Sequence, residues 1–371
     1  MIIGSITILL LAILIATAVI VAIFAPIVVY LPRFGKSPAG ARLDRIRQSP
    51  HFRNGKFCNL DDTDVKISVK MFIRAIRKMV FGKKKALVPP EPMHMEKRDL
   101  KNLDKTRDYY VWFGHSSYLL SLHGTTILVD PTFCTASPFS FINKAFKGTD
   151  LYQPEDMPDV IDYLIITHDH YDHLDHQTFK RLKDRARRVV CPLGVGSHLE
   201  RWGVDLTKLT EMDWYESCSL QENWDVFCLP SQHFSGRALR RNNTLWASFL
   251  IKTPFGNIFA GCDGGYGPHF KEIGAQHPDI DLAILENGQY NIQWKAIHTM
   301  PSQLEAEICD LLAAQVITIH HSKYALARHA WDEPLTNEIK LKKIFGQRIH
   351  IVALGELEEL HLKPQKDNLL P

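Results

Sequence analysis

Hydrophobic and polar positions divide the chain into three stretches. Residues 2–31 are almost uninterrupted Ile, Leu, Ala and Val, without any charged side chain. Residues 64–86 repeat apolar side chains at helical spacing, with Lys and Arg between them. From residue 108 onward, short apolar runs alternate with turn residues, a pattern typical of β-strands. We therefore expect an apolar segment at 1–31, a basic region and linker at 32–107, and a globular domain at 108–371.

The apolar segment is long enough for a transmembrane helix, because a bilayer core of about 30 Å needs about 20 apolar residues. A signal peptide would begin with basic residues, and a buried core helix would keep a polar face. No Lys or Arg precedes the segment, whereas Arg33, Lys36 and Arg42 follow it closely. The positive-inside rule thus predicts a single-pass membrane protein with its globular domain in the cytoplasm. The seven cysteines include no C-x-x-C pair, which also favours a reducing compartment.

The formal net charge of +3 hides two opposed regions. Residues 32–107 contain 20 Lys and Arg against 8 Asp and Glu, so this basic juxtamembrane region is suited to anionic lipid. Residues 108–371 contain 24 against 33, which disfavours nucleic acid as a partner. Two interpretations of residues 64–86 stay open, a helix lying on the membrane and a helix packed on the globular domain. The composition is compatible with a homodimer.

The globular domain is predicted to be an α/β fold with many strands. His123 and Gly124 mark a turn between its second and third strands, and such hairpins argue against a purely parallel sheet. The spacing predicts helices at 176–183 and 301–314. The predicted strands are 109–113, 117–122, 126–129, 161–167, 188–191, 226–229, 246–252, 257–260, 282–285 and 316–319.

The densest chemical motif follows the strand at 161–167. His168 and His170 point the same way in an extended chain, so both imidazoles can bind one ion. Asp172 and His173 lie where the chain turns into the next helix, and they can face a second ion. A loop that is rich in histidine by chance is the alternative. Four metal-binding side chains within six residues at a strand end favour a metal site.

Two complete sites need three further ligands, and rigid strand ends hold ligands best. His233 follows the run 226–229, Asp263 follows 257–260 in a glycine-rich turn, and His320 follows 316–319. The shared position after a buried strand distinguishes these three side chains from other His and Asp residues.

Together these motifs resemble the metallo-β-lactamase superfamily over about residues 108–360. Shorter runs are similar to the branch that contains the N-acyl-phosphatidylethanolamine-hydrolysing phospholipases D. They are Gly114-His115-Ser116-Ser117, Asp130-Pro131-Thr132-Phe133, Ser231-Gln232-His233 and Gly264-Gly265-Tyr266. The resemblance implies a four-layer αββα sandwich with a two-zinc site at one edge of its sheets. In this chain, the transmembrane helix would precede that sandwich.

The resemblance also implies the ligand sets. One zinc would be bound by His168, His170 and His233, and the other by Asp172, His173 and His320, with Asp263 between them. The chain departs from the branch at the last ligand, because His320 is followed by His321 instead of Trp and Gly. His320 directly follows the strand and is the preferred ligand, while His321 remains an alternative.

Other polar residues have roles only by resemblance. Asp130 would orient a ligand histidine, or it is merely a turn residue. His115 and Tyr171 would lie near the substrate, and His298 would be a catalytic candidate together with Asp172 and Asp263. For His115, His298 and Tyr171, a structural role is the alternative. A further group could bind phosphate or form a solvated basic loop: Arg237, Arg240 and Arg241.

The favoured function is a membrane-anchored dinuclear zinc hydrolase, with manganese or iron as alternative metals. Two adjacent ions make hydroxide available near neutral pH, and this hydroxide would attack a phosphodiester. Resemblance suggests an N-acyl-phosphatidylethanolamine-type phospholipid as the substrate, as for a phospholipase D. A lactonase or other ester hydrolase could use the same metals. The non-enzymatic alternative is a membrane-tethered, metal-binding scaffold.

Overall fold

The computed structural model describes residues 15, 17, 28, 30–61, 86–237 and 240–362. Within these ranges, no helix is both long and apolar enough to cross a membrane. The transmembrane helix predicted for residues 1–31 lies almost entirely outside the described residues, as does the basic segment at 64–86.

Short strands dominate the described chain. The helices are α1 (Gly40–Gln48), α2 (His176–Leu182), α3 (Gly196–Arg201), α4 (Pro268–Gln276), α5 (Leu304–Leu311) and α6 (Glu333–Phe345). The strands are β1 (Phe52–Arg53), β2 (Lys56–Phe57), β3 (Tyr109–Trp112), β4 (Tyr118–Leu122), β5 (Thr125–Val129), β6 (Ile161–Ile165), β7 (Ala186–Pro192), β8 (Leu209–Met212), β9 (Ser217–Gln221), β10 (Trp224–Leu229), β11 (Gly236–Arg237), β12 (Arg240–Arg241), β13 (Ser248–Thr253), β14 (Gly256–Ala260), β15 (Leu282–Glu286), β16 (Gln315–Ile319), β17 (Ile349–His350) and β18 (Leu357–Glu359).

The larger strands form two seven-stranded mixed sheets. The first has the order β18-β3-β4-β5-β6-β7-β8, and the second has the order β17-β16-β15-β14-β13-β10-β9. In the first sheet β3, β4 and β5 pair antiparallel, whereas β5 to β8 run parallel. In the second sheet β14 to β17 run parallel. The expectation that the sheets would not be purely parallel is thus confirmed.

Side-chain alternation shows how the second sheet is covered on both faces. Leu282 and Ile284 of β15 belong to the main hydrophobic core, whereas Ala283 and Leu285 belong to a second core. Successive strand residues point to opposite faces, so β15 separates the two cores. The second core also contains Ile308 of α5 and other side chains from α4 and α6. The domain is therefore an α/β sandwich of two sheets, with helices packed on the outer face of the second sheet.

The basic region packs against the globular domain on either side of its undescribed part. Ile46 and Phe57 are fully buried in the main core, and Met95 and Leu100 join them there. Residues 30–61 and 86–107 therefore contribute to the same core as the strands after residue 108.

The apolar pattern predicted the central strands well and the edge strands poorly. Every strand predicted from the sequence overlaps an observed strand. The helix predicted at 176–183 overlaps α2, and the helix predicted at 301–314 overlaps α5. The edge strand β9 was missed because its side chains alternate between exposed and half-buried positions. Such a strand carries too little apolar signal to be distinguished from a loop.

Candidate metal centre

Candidate ligands converge because strands of both sheets end at one edge. His168 lies in the loop after β6, while Asp263 and His320 follow β14 and β16. The strands β14, β15 and β16 are parallel, so their carboxyl ends meet at that edge. Since β10 and β14 both run antiparallel to β13, the end of β10 brings His233 to the same place.

Three histidines form what we call the first cluster: His168, His170 and His233. Nε2 of His168 lies 2.8 Å from Nδ1 of His170, and Nε2 of His233 lies 3.2 Å from that same atom. Burial lowers the pKa of His168 and His233 well below the ordinary value and lowers the pKa of His170 to about 4. These imidazoles are therefore neutral at physiological pH, with their nitrogens facing one another.

The second cluster is richer in carboxylates and comprises Asp172, His173 and His320. Nε2 of His173 lies 3.6 Å from Asp172, and Nε2 of His320 lies 3.9 Å from the same carboxylate. Burial acts to lower the pKa of His320, but Asp263 and Glu286 outweigh it and raise that pKa to about 9. The same balance of burial against Asp263 and Asp172 raises the pKa of His173 well above its ordinary value.

Asp263 lies between the two clusters. One of its oxygens is 3.2 Å from Nε2 of His173, and the other is 2.5 Å from Nδ1 of His320. Towards the first cluster, Asp263 Oδ2 is 3.9 Å from Nε2 of His233. The glycine-rich turn permits this approach, since a Cβ on Gly265 would lie 2.5 Å from the carbonyl of Ala296. Asp263 is thus the one carboxylate among the seven predicted ligands that faces both clusters.

Asp130 contacts His173 of the second cluster at the ring nitrogen that does not face Asp263. Its carboxylate accepts hydrogen bonds from the backbone N–H (2.8 Å) and the hydroxyl (2.6 Å) of Thr167. The remaining contact joins Asp130 Oδ2 to Nδ1 of His173 at 2.8 Å, which directs Nε2 of that ring towards Asp263. Asp130 and His320 both have positive φ, 42° and 70°. Such backbone in non-glycine residues is uncommon and concentrates at functional sites.

The other predicted site residues divide into near and distant ones. Nε2 of His115 lies 2.8 Å from Asp172, and the ring of His298 lies 5.0 Å from that of His233. By contrast, Tyr171 is turned away from the clusters, with the Arg237 guanidinium 4.1 Å from the centre of its ring. His115 and His298 thus adjoin the candidate ligands, whereas Tyr171 packs on other side chains.

The structure also distinguishes His320 from His321. His320 faces Asp263, whereas Nδ1 of His321 lies 2.8 Å from the Ser322 hydroxyl and its Nε2 lies 3.3 Å from Glu338. The expected solvated basic loop is wrong for Arg237, which is buried and donates hydrogen bonds to backbone carbonyls. Arg240 and Arg241 are exposed.

Sequence reasoning missed three residues that support the site. Glu286, the last residue of β15, lies 3.0 Å from Nδ1 of His298 and 3.4 Å from Nδ1 of His320. It occupies the same strand-end position as the predicted ligands, so the signal was present. Asp169 receives a hydrogen bond from the N–H of Gly236 at 2.7 Å, and Asn59 pairs with both backbone groups of His233. No local pattern marks either of these.

A cavity of about 510 Å³ opens beside His233. Ile297 and Phe234 form part of its wall, and residues 53–61 of the N-terminal region supply another part. Its basic lining residues are Arg53, Lys56 and Arg241. With Asp61 as the acidic residue of the described lining, basic side chains outnumber acidic ones in this cavity next to the first cluster.

Comparison with known proteins agrees with this architecture. The family described as Beta-lactamase superfamily domain matches residues 125–321. An uncharacterized protein of Mycobacterium tuberculosis is 35% identical over 293 residues, which cover 78% of each chain. The N-acyl-phosphatidylethanolamine-hydrolyzing phospholipase D 1 of Caenorhabditis elegans is 30% identical over 276 residues, covering 68% of this chain and 75% of that one.

Among solved structures, the metallo hydrolase Igni18 of Ignicoccus hospitalis is similar in fold. It superimposes with a TM-score of 0.55 at 16% identity, covering 70% of this chain and all of that one. The range that matches the family, residues 125–321, contains the H-x-H-x-D-H run, His233, Asp263 and His320. The chain therefore belongs to the metallo-β-lactamase superfamily and is a metal-dependent hydrolase.

Proposed function

We propose that the protein is a membrane-anchored dinuclear zinc hydrolase that cleaves a phosphodiester, with N-acyl-phosphatidylethanolamine-type phospholipids as its substrates. The observation that carries the proposal is the pair of adjoining clusters joined by Asp263. The similarity to the phospholipase of Caenorhabditis elegans supports the substrate class.

The donor set fits two cations. In the first cluster, imidazole nitrogens face one another at 2.8 and 3.2 Å without a carboxylate among them, an arrangement that a cation would stabilise. In the second cluster, Nε2 of His173 and Nδ1 of His320 are buried and, among the described residues, make no well-formed hydrogen bond. Nitrogen and carboxylate donors suit zinc, with manganese and iron as alternatives.

The residues of the chain would divide the reaction among them. Divalent cations at the two clusters would supply Lewis acidity that lowers the pKa of water and neutralises phosphoryl oxygens. Nδ1 of His298 faces Glu286, so its Nε2 is the nitrogen that can exchange a proton with the leaving group. Arg241 and Lys56 would attract the anionic diester to the cavity beside His233.

The membrane part of the proposal rests on residues 1–31, which lack charged side chains, and on the basic residues that follow them. A reporter fused to the C-terminus is expected on the cytoplasmic side. A signal from the opposite side would overturn that orientation.

Activity is tested with the purified full-length protein, supplied with zinc or manganese. We expect two ions per chain and hydrolysis of N-acyl-phosphatidylethanolamine, with less turnover of a lactone panel. Asp263→Asn should abolish activity, whereas Asp184→Asn, with an 86% exposed side chain, should not change it. Turnover of lactones alone would favour the lactonase, and bound metal without any turnover would favour a scaffold.

A further inference from the structure

The point where the apolar N-terminal segment joins the domain is held rigidly. Nη1 of Arg201 donates to the carbonyl of Gly35 at 2.7 Å, and Nη2 donates to the carbonyl of Tyr30. Nε1 of Trp202 donates to the carbonyl of Pro32 at 2.7 Å. Because three carbonyls within residues 30–35 are bound by the domain, the position of Tyr30 on the surface is defined.

An aromatic loop lies directly beside this place. Nη1 of Arg33 donates to the carbonyl of Pro138 at 2.8 Å, and the ring of Phe34 lies 6.2 Å from that of Phe139. Phe139 stacks on Phe141 with ring centres 5.6 Å apart. Residues 138–142, here called the aromatic loop, therefore continue the surface that begins at Tyr30.

The aromatic loop presents apolar side chains to solvent although hydrogen bonds hold its backbone. Phe141 is 71% exposed and Ile142 is 42% exposed. The Ser137 hydroxyl lies 2.8 Å from the carbonyl oxygen of Phe139 and 2.6 Å from that of Ile142. The N–H of Ile142 also donates to the carbonyl of Phe139 at 2.9 Å. These bonds form a tight turn that holds Phe141 outward.

Positive charge surrounds the same surface. A cavity of about 420 Å³ extends from Tyr30, and its basic lining residues include Lys36, Arg201 and Arg240. Lys144, just past the aromatic loop, is exposed. Aromatic side chains next to Lys and Arg are typical of protein surfaces at a bilayer interface, where rings enter the headgroup region and cations meet lipid phosphates.

We propose that the aromatic loop, together with Tyr30 and the basic cavity beside it, contacts an anionic lipid bilayer. The occupant follows from continuity, because Tyr30, 74% exposed at this surface, directly follows the uncharged sequence of residues 1–29. This surface also adjoins the H-x-H-x-D-H run, since the ring of Phe34 lies 6.2 Å from that of Tyr171. The inference rests on the membrane anchoring proposed above and specifies which face of the domain lies on the lipid.

Fluorescence quenching in vesicles tests the contact directly. Full-length Phe141→Trp is reconstituted into vesicles of phosphatidylglycerol and brominated phosphatidylcholine, which quenches nearby indoles. The matched control is Ile339→Trp on α6, where the native side chain is 51% exposed. We expect stronger quenching than in the wild type for Phe141→Trp only.

The outcomes separate the two proposals. If the protein floats with the vesicles but Trp fluorescence is quenched equally in both variants, or in neither, the aromatic loop does not lie on the bilayer while anchoring stands. If the wild-type protein does not float, anchoring fails and the loop proposal fails with it.

A second measurement tests the proposal independently of whether the Trp variant folds. Replacing both Phe141 and Ile142 with Ser should lower hydrolysis of vesicle lipid by about fivefold, the loss expected for two apolar side chains at a membrane. Hydrolysis of soluble bis(p-nitrophenyl) phosphate should not change, because neither residue belongs to the metal centre. The matched control replaces Ile339 and Ile344 of α6, both exposed, with Ser. An equal loss on both substrates would overturn the proposal.

Discussion

The two histidine clusters differ in charge, although they share Asp263 and lie at the same edge of the sandwich. The first consists of buried neutral imidazoles, and burial keeps the pKa of His170 at about 4. The second pairs histidines with carboxylates, and there the pKa of His320 reaches about 9. Without metal, the first cluster presents lone pairs, whereas the second is a network of opposite charges. A cation can therefore bind the first cluster without displacing a proton, but must displace protons from the second.

The largest effect is expected at the carboxylate that both clusters share. Asp263→Asn should lower kcat by at least about 1000-fold, because two-metal catalysis supplies several kcal/mol of transition-state stabilisation. Metal content per chain should fall at both clusters, as measured by elemental analysis, while His168→Ala should mainly empty the first. Full occupancy in Asp263→Asn would contradict a shared role.

The charge difference predicts different pH dependences for the two ions. His320, with its pKa raised to about 9, is protonated at lower pH, so affinity at the second cluster should rise with pH by at least about tenfold per unit up to pH 9. The first cluster should bind almost independently of pH between 6 and 9, because its histidines are already neutral. Calorimetric zinc titrations in buffers of different ionisation enthalpy count the released protons. Equal proton release at both sites would contradict the comparison.

The contact of Asp130 with His173 should matter for the second cluster alone. Asp130→Asn keeps the size of the side chain but removes the charge that directs the ring, 2.8 Å away. Support of this kind is worth about 10–100-fold in metal affinity. We expect that loss for the ion at the second cluster only, with Asp184→Asn as the control.

A substitution of Glu286 tests whether this residue acts on His298 or supports the ligand His320 of the second cluster. If it serves His298, as its 3.0 Å contact indicates, Glu286→Gln should lower kcat by about tenfold while both ions remain bound. Loss of the second ion instead would show that its 3.4 Å approach to His320 is the important contact.

The smallest effect is expected for Asn59, a residue of the N-terminal region that contacts His233 of the first cluster. Asn59 donates to the carbonyl of His233 at 2.9 Å and accepts from its N–H at 3.1 Å. Asn59→Ala should lower the free energy of unfolding by about 1–3 kcal/mol, since it leaves buried backbone groups unpaired. Thermal denaturation measures this loss of stability, and Asn102→Ala at the surface is the control. Unchanged stability would mean that water replaces these bonds.

Prediction from the sequence worked where the signal was local. The H-x-H-x-D-H run and three strand-end residues indicated all seven candidate ligands, and the structure brings them together. Glu286 directly follows the predicted strand 282–285, just as His320 follows 316–319, but it was overlooked as a site residue. His320 was preferred to His321 because it directly follows the strand, and the backbone direction after β16 turns its ring towards Asp263.

The sequence by itself determined the central strands, the superfamily and the candidate metal ligands, because apolar alternation and closely spaced histidines are properties of short segments. Only the tertiary structure decided the charge of each cluster, since the pKa of a histidine depends on carboxylates far away along the chain. It alone showed that Asn59 supports His233 and that the aromatic loop contacts Arg33. These contacts join residues whose distance depends on how the two sheets and the N-terminal region pack, which no single segment encodes.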